Sequence, residues 1–407
     1  MSSLVVRHLS FVLCFMALFS CTEEKIGPSS GAFLKYYGGN GIDEVNVVEQ
    51  TSSGEYMMLG SSQNSTLSVA KQMVILRVNS YGMKMGENHF GDNHTTEGRA
   101  LKETKDGNFI LIGDYINEDG TSDLYIVKVN PNLEKKWETI IPIPSSNEKG
   151  NALTILPDGN YFVLGTSADA GGTIEMITAI VTPEGAYHTV TKPGFGANNN
   201  NVGKSVVLRP NGRLAWCWTQ NRDFEGNAPG TSNIGLIFAT EDGISDAGEF
   251  NFGRERNDYA SDIQKATTGY ILLGTSQSVS GSTRIYLVRT YEDGRLQWDK
   301  VINSNSENSG NQMGSSVYPT SDGGYIILGT TDVSVYTHQD GQNLFLVKTN
   351  STGEVEWEEI YGGNGNEEAA TVRQTSDGGY VIAATVELNG DPTICLIKTN
   401  SKGKLIN

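Results

Sequence analysis

The sequence is poor in histidine, cysteine, proline and basic residues. With five histidines and four cysteines among 407 residues, metal-binding and catalytic constellations are sparse. Eleven prolines against 48 glycines argue against a collagen-like or disordered chain and favour many tight turns between short strands. Acidic residues outnumber basic ones by 47 to 30, which gives a net charge of −17. Such a surface repels phosphate backbones, so we expect no nucleic-acid partner.

The apolar run near the N-terminus is too short to span a bilayer. It covers residues 9–19 and follows a single positive charge, Arg7, which is typical of a secretory signal peptide. The ending "LFSC" resembles a bacterial lipobox, in which cleavage precedes a lipid-modified cysteine. We therefore predict a signal peptide over residues 1–20, lipidation of Cys21, and a polar tether over residues 21–31. An ordinary signal peptide cut near Ser20, or a buried apolar segment, is the alternative.

Seven copies of one pattern occupy the rest of the chain. A marker residue after each turn recurs at spacings of 53, 52, 53, 56, 55 and 55 residues. The markers are Tyr56, Phe109, Tyr161, Leu214, Tyr270, Tyr325 and Tyr380. Each copy contains four short apolar runs joined by compact glycine turns such as "SDGG", which predicts four antiparallel strands. Repetition of this unit predicts an all-β fold, a seven-bladed β-propeller over residues 32–407.

The two chain ends are predicted to close the ring. The last copy stops at "SKGKLIN", before its outer strand begins. The segment "FLKYYGG", from Phe33, lies 324 residues before "WEEIYGG", from Trp357, and has no blade of its own. We expect the N-terminal segment to form the fourth strand of the seventh blade, because closure removes the exposed sheet edges of an open array.

The units "YGGNG…TSDGGY…LVKTNSTGEVEW" resemble the β-propeller repeats of secreted and surface lipoproteins of the Bacteroidota. The resemblance implies the fold and the cellular location more than a chemistry. The segments "TGEVEW" and "DGRLQW" are also similar to the quinoprotein propeller motif, whose tryptophans dock neighbouring blades. We therefore expect a structural role for Trp137, Trp298 and Trp357.

The acidic pair directly after Cys21 bears on location. Glu23 and Glu24 resemble the export signal by which Bacteroidota lipoproteins reach the cell surface. We therefore expect an outer-membrane lipoprotein exposed at the surface, with a periplasm-facing position as the alternative. The membrane would be contacted through the lipid, and the propeller is expected to be monomeric.

One face of the propeller is predicted to bind a ligand. The loops between second and third strands share that face with the blade connections, and they vary between copies. The candidate residues lie in copies four and five: Trp216, Trp218, Asn199, Asn200, Arg254, Arg256, Asp258 and Tyr259. Exposed aromatic rings beside amides and guanidinium groups suit a sugar or a peptide. Alternatively, the two tryptophans fill space between blades and the asparagines form a solvated loop.

The remaining polar clusters do not match a recognised site. His89 and His94 lack a known ligand spacing, and residues 117–123 form an oxygen-rich loop without the full calcium register. We expect no catalytic residue and no cofactor, and we leave a structural calcium open. Asp43 and Glu367 recur at matching repeat positions, which indicates a role in joining blades. The cysteines of copies four and seven, Cys217 and Cys395, are too far apart to form a disulfide and are expected to be free thiols.

The sequence favours a lipid-anchored binding or scaffold protein of the cell envelope over an enzyme. Its expected ligand is a glycan or another envelope protein. The alternative is a glycan-active hydrolase or lyase that uses loop carboxylates in the central funnel. A structural envelope protein without a small ligand is a third reading, since one fold hosts many functions.

Overall fold

A computed structural model of the chain describes residues 31–39, 41–64, 70–143, 146–193, 200–221, 232–254, 256–302, 310–333, 341–363 and 365–405. The predicted signal peptide, Cys21, Glu23 and Glu24 lie outside these ranges. The described residues form 28 β-strands and no helix. Accordingly, no helix that is long and apolar enough to cross a membrane occurs in those ranges.

The strands form seven sheets of four antiparallel strands, the blades. The first strand of the chain is β1 (Phe33–Tyr37). Blade 1 contains β2 (Gly41–Gln50), β3 (Tyr56–Asn64), β4 (Gln72–Val78) and β5 (Lys84–Phe90). Blade 2 contains β6 (Thr96–Glu103), β7 (Phe109–Ile116), β8 (Ser122–Val129) and β9 (Lys135–Ile141). Blade 3 contains β10 (Ser146–Ile155), β11 (Tyr161–Asp169), β12 (Ile174–Val181) and β13 (Tyr187–Thr191).

The second half of the ring follows the same order. Blade 4 contains β14 (Val202–Leu208), β15 (Leu214–Asn221), β16 (Ser232–Ala239) and β17 (Ser245–Phe252). Blade 5 contains β18 (Asp258–Lys265), β19 (Tyr270–Gln277), β20 (Thr283–Thr290) and β21 (Leu296–Val301). Blade 6 contains β22 (Gln312–Pro319), β23 (Tyr325–Thr331), β24 (Asn343–Thr349) and β25 (Val355–Tyr361). Blade 7 contains β26 (Glu367–Gln374), β27 (Tyr380–Leu388) and β28 (Asp391–Thr399), with β1 as its fourth strand.

The predicted closure of the ring is confirmed. Strand β1 pairs antiparallel with β28, from Phe33 opposite Lys398 to Tyr37 opposite Ile394. The hydroxyl of Tyr37 then donates a hydrogen bond of 2.8 Å to the carbonyl of Gly82 in blade 1. The two chain ends therefore share one sheet, and that sheet is tied to the next blade.

The first strand of each blade lies on the axis and contains a β-bulge at a repeating position. The residues left unpaired at the bulges are Asn46, Arg99, Asn151, Lys204, Ser261, Ser315 and Ala370. A bulge bends the strand and re-aims one side chain. Each blade therefore places one residue at the same level of the central channel, and we call this set the bulge ring.

Neighbouring blades are joined at the outside by the predicted aromatic docking. Trp298 packs over Gly353 and Trp357 over Gly403, in each case a turn glycine of the next blade. A methyl group on Gly353 would lie 2.8 Å from the Trp298 ring, so only glycine fits there. Gly353 also has a φ of 78°, which L side chains rarely adopt. Trp137 contacts the corresponding Gly185, which confirms the structural role expected for the three tryptophans.

A second ring of buried polar side chains joins the blades at the connections between them. These residues stand three positions before each bulge residue: Asp43, Thr96, Glu148, Asn201, Asp258, Gln312 and Glu367. The carboxylate of Asp43 accepts a hydrogen bond of 2.8 Å from the backbone amide of Gly39, in the connection that precedes its own strand. This contact confirms the blade-joining role expected for Asp43. Burial raises the pKa of the equivalent Glu367 to about 7.

The turns of the propeller lie on two faces, according to the strands that they connect, and tight turns occur on both, as at residues 117–121 and 278–282 between second and third strands. The turns between first and second strands and between third and fourth strands are tight, as at residues 51–55 and 79–83. We call this side the tight-turn face. The loops between second and third strands and the blade connections lie on the other side, the loop face.

Candidate functional site

A cavity of about 550 Å³ lies on the axis of the propeller and is lined by all seven inner strands. Its lining residues run from the bulge ring to the last residues of the strands, such as Leu208, Lys265 and Pro319. Because the inner strands end at tight turns, the cavity occupies the half of the channel next to the tight-turn face. Its volume is that of a site for a small ligand or a short segment of a polymer.

The bulge ring is unequal around this cavity. Blades 1 to 4 contribute long polar side chains, whereas blades 5 to 7 contribute small ones. The long side chains are those of Asn46, Arg99, Asn151 and Lys204, and the small ones are those of Ser261, Ser315 and Ala370. The bulge ring therefore leaves more open space toward blades 5 to 7 than toward blades 1 to 4.

The lining has an excess of positive charge. It includes five basic residues against two carboxylates. The basic residues are Arg99, Lys102, Lys204, Lys265 and Arg373, and the carboxylates are Glu49 and Asp262. The chain as a whole carries −17, so the sign of the charge is reversed inside the channel. A concave wall of one sign concentrates the field and attracts the opposite charge.

Glu49 neutralises two of these cations. Its Oε1 atom lies 3.0 Å from Nη2 of Arg373 and 2.8 Å from Nζ of Lys102. Burial acts to raise the pKa of Glu49, but the two cations outweigh it and lower the pKa to about 2. Glu49 is therefore ionised at neutral pH, and its ion pairs connect blade 1 to blades 7 and 2.

Asp262 is engaged in a different way. Its carboxyl accepts hydrogen bonds from Ser205 Oγ at 2.8 Å and from the backbone amide of Val317 at 3.1 Å. Those partners belong to blades 4 and 6, while Asp262 belongs to blade 5. Burial raises the pKa of Asp262 even though the Arg373 guanidinium and these hydrogen bonds oppose the effect. The group thus ties three blades together behind the cavity wall.

Arg99 has its counter-charges outside the cavity. Its Nη2 atom lies 2.8 Å from Oδ2 of Asp114, and it also pairs with Glu97. The other oxygen of Asp114 accepts a hydrogen bond of 3.0 Å from the backbone amide of Gly150 in the next blade. Arg99 is therefore fixed by a buried carboxylate and contributes little uncompensated charge.

Lys204 differs from Arg99, Lys102 and Arg373. Within the described part of the chain its ammonium has no hydrogen-bond partner and no ion-pair partner. Lys204 is exposed, and its side chain lies in the solvent-accessible cavity. Desolvation by the surrounding cavity wall lowers the pKa of Lys204, the Cys217 thiol opposes this effect, and the Arg99 guanidinium adds to it. Among the described residues, Lys204 and Lys265 are the two lining cations that no carboxylate neutralises, and Lys204 belongs to the bulge ring whereas Lys265 is the last residue of its strand.

The tryptophans predicted to bind a ligand are fully buried. Trp216 and Trp218 are both 0% exposed. Trp216 stacks on Phe162 of blade 3, with ring centroids 5.9 Å apart, and Trp218 lies directly opposite Gly235 in the neighbouring strand. Neither ring presents a face to a ligand, because both fill the space inside and between blades. The structure thus supports the packing alternative for these two residues.

The charged candidates of blade 5 lie on the loop face. Arg254 is exposed and pairs with Asp299 at 3.1 Å, while its guanidinium lies 5.2 Å from the Tyr286 ring centroid. Asp258 is fully buried and accepts a hydrogen bond of 2.6 Å from the backbone amide of Arg254, so it acts as a connection-joining residue. Burial raises its pKa.

The other loop-face candidates do not converge. Arg256 and Tyr259 are exposed, and the side-chain oxygen of Asn200 accepts a hydrogen bond of 3.0 Å from the backbone amide of Ile174. Asn199 lies outside the described residues. These candidates line neither the channel cavity nor three further cavities of the described part, so a loop-face site stays a prediction.

The other predicted polar features have simple structural explanations. In the loop of residues 117–123, Asp119 accepts hydrogen bonds from the amide and hydroxyl of Thr121, and Asn117 donates one to Asp123. Among the described residues no group of three or more histidine, cysteine, aspartate or glutamate side chains is placed to bind a metal ion. Cys217 and Cys395 are buried free thiols, as predicted.

Sequence analysis missed the channel residues. The bulge residue stands three positions after the recurrent buried polar residue, so the spacing was present in the sequence. Without the bulge, however, strict alternation along the strand does not reveal that Lys204 and Arg99 point to the axis. Differences between the loops, in contrast, can be seen directly in the sequence.

Comparison with known proteins supports the fold alone. No protein-family model matches the sequence, and no curated protein matches it. The solved structure of an α-L-arabinanase from Penicillium chrysogenum, complexed with arabinobiose, is similar at a TM-score of 0.51 and 11% identity, over 90% of this chain and 99% of that chain. The GH93 α-L-arabinofuranosidase of Fusarium graminearum, also with arabinobiose, is similar at a TM-score of 0.52 and 9% identity, over 91% and 98% of the two chains. At such identities the likeness shows the propeller architecture and not an activity.

Proposed function

We propose that this chain is a binding protein of the cell envelope and that the channel cavity takes a segment of a glycan. The observation that carries the proposal is the solvent-accessible cavity of about 550 Å³ with polar and cationic walls. A flat protein surface does not enter a site of that shape, so a glycan suits it better than a folded partner. The ring around the cavity is closed by the pairing of β1 with β28.

The envelope location rests on the N-terminal residues. A lipid on Cys21 would anchor the chain through a tether of about ten residues, which spans at most roughly 35 Å when extended. Incorporation of labelled palmitate into the wild-type chain and its loss in Cys21→Ser would support this anchor. Protease treatment of intact cells then tests whether the propeller is at the surface. A chain released to the medium with an unmodified Cys21 would contradict the proposal.

Binding fits the cavity better than catalysis because its carboxylates are engaged. Glu49 is committed to Arg373 and Lys102, and Asp262 accepts hydrogen bonds from three blades, its own included. A general acid or base must reach the substrate within hydrogen-bond distance. Both groups would have to abandon their partners first.

A glycan array with paired variants tests the proposal. We expect wild-type protein to retain at least one glycan class and Lys204→Gln to lose at least tenfold in signal. Arg256→Gln removes one charge on the loop face and serves as the matched control, with its signal unchanged. Loss in Arg256→Gln with full retention in Lys204→Gln would move the site to the loop face. An array on which no glycan is retained would refute the proposal.

A glycan-active enzyme is the second candidate. The observation that favours it is that two carboxylates, those of Glu49 and Asp262, belong to the lining of the channel cavity. Release of reducing ends from a retained glycan, abolished in both Glu49→Gln and Asp262→Asn, would support this activity. Retention of the glycan without turnover leaves the binding function in place.

A further inference from the structure

Lys204 gives the channel cavity a chemical preference. Three cations of the lining have protein carboxylates within 3.0 Å, namely Glu49 for Arg373 and Lys102, and Asp114 for Arg99. Lys204 has none among the described residues. Lys204 is exposed to the solvent of the cavity, so its ammonium is open to pairing with an anion that enters.

Two asparagines of the bulge ring, Asn151 in the blade next to Lys204 and Asn46 in blade 1, have side-chain oxygens without a protein donor among the described residues. The amide nitrogen of Asn151 donates to the carbonyl of Gly203, next to Lys204, at 2.8 Å. Asn46 makes the equivalent bond to Gly98 at 2.7 Å. In both cases the amide nitrogen is committed to the next blade, and the side-chain oxygen has no donor among the described residues. A ligand that supplies hydroxyl groups satisfies those oxygens.

The space for such a ligand lies toward blades 5 to 7 and begins beside Lys204, since blade 5 adjoins blade 4. Ser261, Ser315 and Ala370 are small and leave room on the side of blades 5 to 7. Ser261 also donates its hydroxyl to Gly314 at 2.6 Å, which keeps this side chain close to the wall. Of the lining cations, Lys204 and Lys265 have no carboxylate partner among the described residues, and Lys204 is the one at the level of the bulge ring. Together with the two asparagine oxygens and the open arc of blades 5 to 7, it describes a ligand with an acidic group and several hydroxyls.

We infer that the cavity binds an acidic sugar, whose carboxylate pairs with Lys204 and whose hydroxyls donate to Asn46 and Asn151. This inference rests on the proposed function and names its ligand class. A phosphate or a dicarboxylate has the charge but not the hydroxyl donors, and a neutral sugar has the hydroxyls but leaves Lys204 unpaired. A polyanion such as nucleic acid is repelled by a chain of net charge −17.

The test measures the ammonium of Lys204 directly. Lysines are converted to ¹³C-dimethyl-lysine, and the Lys204 resonance is assigned by its absence in Lys204→Gln. We expect its pKa to lie below those of the surface lysines and to rise when glucuronate is added, while glucose leaves it unchanged. In isothermal titration at low salt, glucuronate should bind at least tenfold more weakly to Lys204→Gln than to wild type. Lys204→Arg keeps the charge and should recover most of that loss.

Controls separate this inference from general electrostatics and from the proposed function. Lys136→Gln removes the same charge from an exposed site on β9 and should leave glucuronate binding unchanged. If glucose and glucuronate bind alike and Lys204→Gln has no effect, the acidic-sugar inference is wrong while a glycan-binding cavity stands. A Lys204 resonance that titrates like a surface lysine and ignores glucuronate also overturns the inference. The proposed function itself would fail by a different result, namely a glycan array on which the wild-type protein retains no glycan.

Discussion

Glu367 should make the propeller less stable as the pH rises from 4.5 toward 7. The side chain is 4% exposed, and its Oε2 atom has no hydrogen-bond partner among the described residues. Burial, with a smaller contribution from Glu387, raises its pKa from 4.5 to about 7. A raised carboxyl pKa means that the folded state binds the proton more tightly than the unfolded state. The stabilisation is therefore fully present below pH 4.5 and is lost as the pH rises through about 7.

The magnitude follows from the size of the shift. A rise of about 2.5 pKa units corresponds to about 3 kcal/mol of differential stability, taken as an upper bound. Glu367→Gln keeps the shape of the side chain and the acceptor oxygen but cannot ionise. Relative to Glu367→Gln, the wild-type protein should therefore lose about 2–3 kcal/mol of unfolding free energy between pH 4 and pH 8, so that wild type is the less stable of the two at high pH.

Urea denaturation followed by tryptophan fluorescence at several pH values measures this difference. Glu368→Gln changes the exposed neighbouring carboxylate and is the matched control, for which the difference from wild type should stay nearly constant. If wild type and Glu367→Gln show parallel pH profiles, Glu367 is not buried in the way the structure describes.

Two further predictions concern the fold. Gly235→Ala places a methyl group 2.0 Å from Nε1 of the buried Trp218 and should lower the unfolding free energy by about 1–3 kcal/mol. Gly39→Ala is the control, because nothing lies within 4 Å of its new methyl group, and it should cost less than about 0.5 kcal/mol. Equal costs would contradict the packing described for Trp218. Deletion of residues 33–37 removes β1 and exposes the edge of β28. Size-exclusion chromatography should then show aggregation, and thermal unfolding should begin at a lower temperature. A monomer with the wild-type melting profile would show that the ring does not depend on this strand.

The repeat made the architecture predictable. Regular spacing of the marker residues, and an outer strand missing from the last copy but present before the first, were enough to predict seven blades and their closure by Phe33–Tyr37. The outer-strand tryptophans were also predictable, because their partners are turn glycines in the next copy. These features depend on contacts at fixed repeat offsets, which sequence periodicity records directly.

The channel site was not predictable in the same way. Trp216 and Trp218 interrupt the repeat, yet tertiary packing buries them, since a large ring in a strand with both faces covered has no route to solvent. Lys204 and Asn151 occupy equivalent positions with different chemistry, and their shared direction depends on a bulge that alternation does not encode. The absence of a partner for Lys204 depends on all seven strands at once.

A crystal structure of the protein with the best-retained glycan of the array tests the central claim most directly. We predict ligand density in the channel cavity next to the tight-turn face, with an acidic group within hydrogen-bond distance of Lys204 Nζ. Density on the loop face beside Arg254 and Arg256, with the channel free of ligand, would contradict the account.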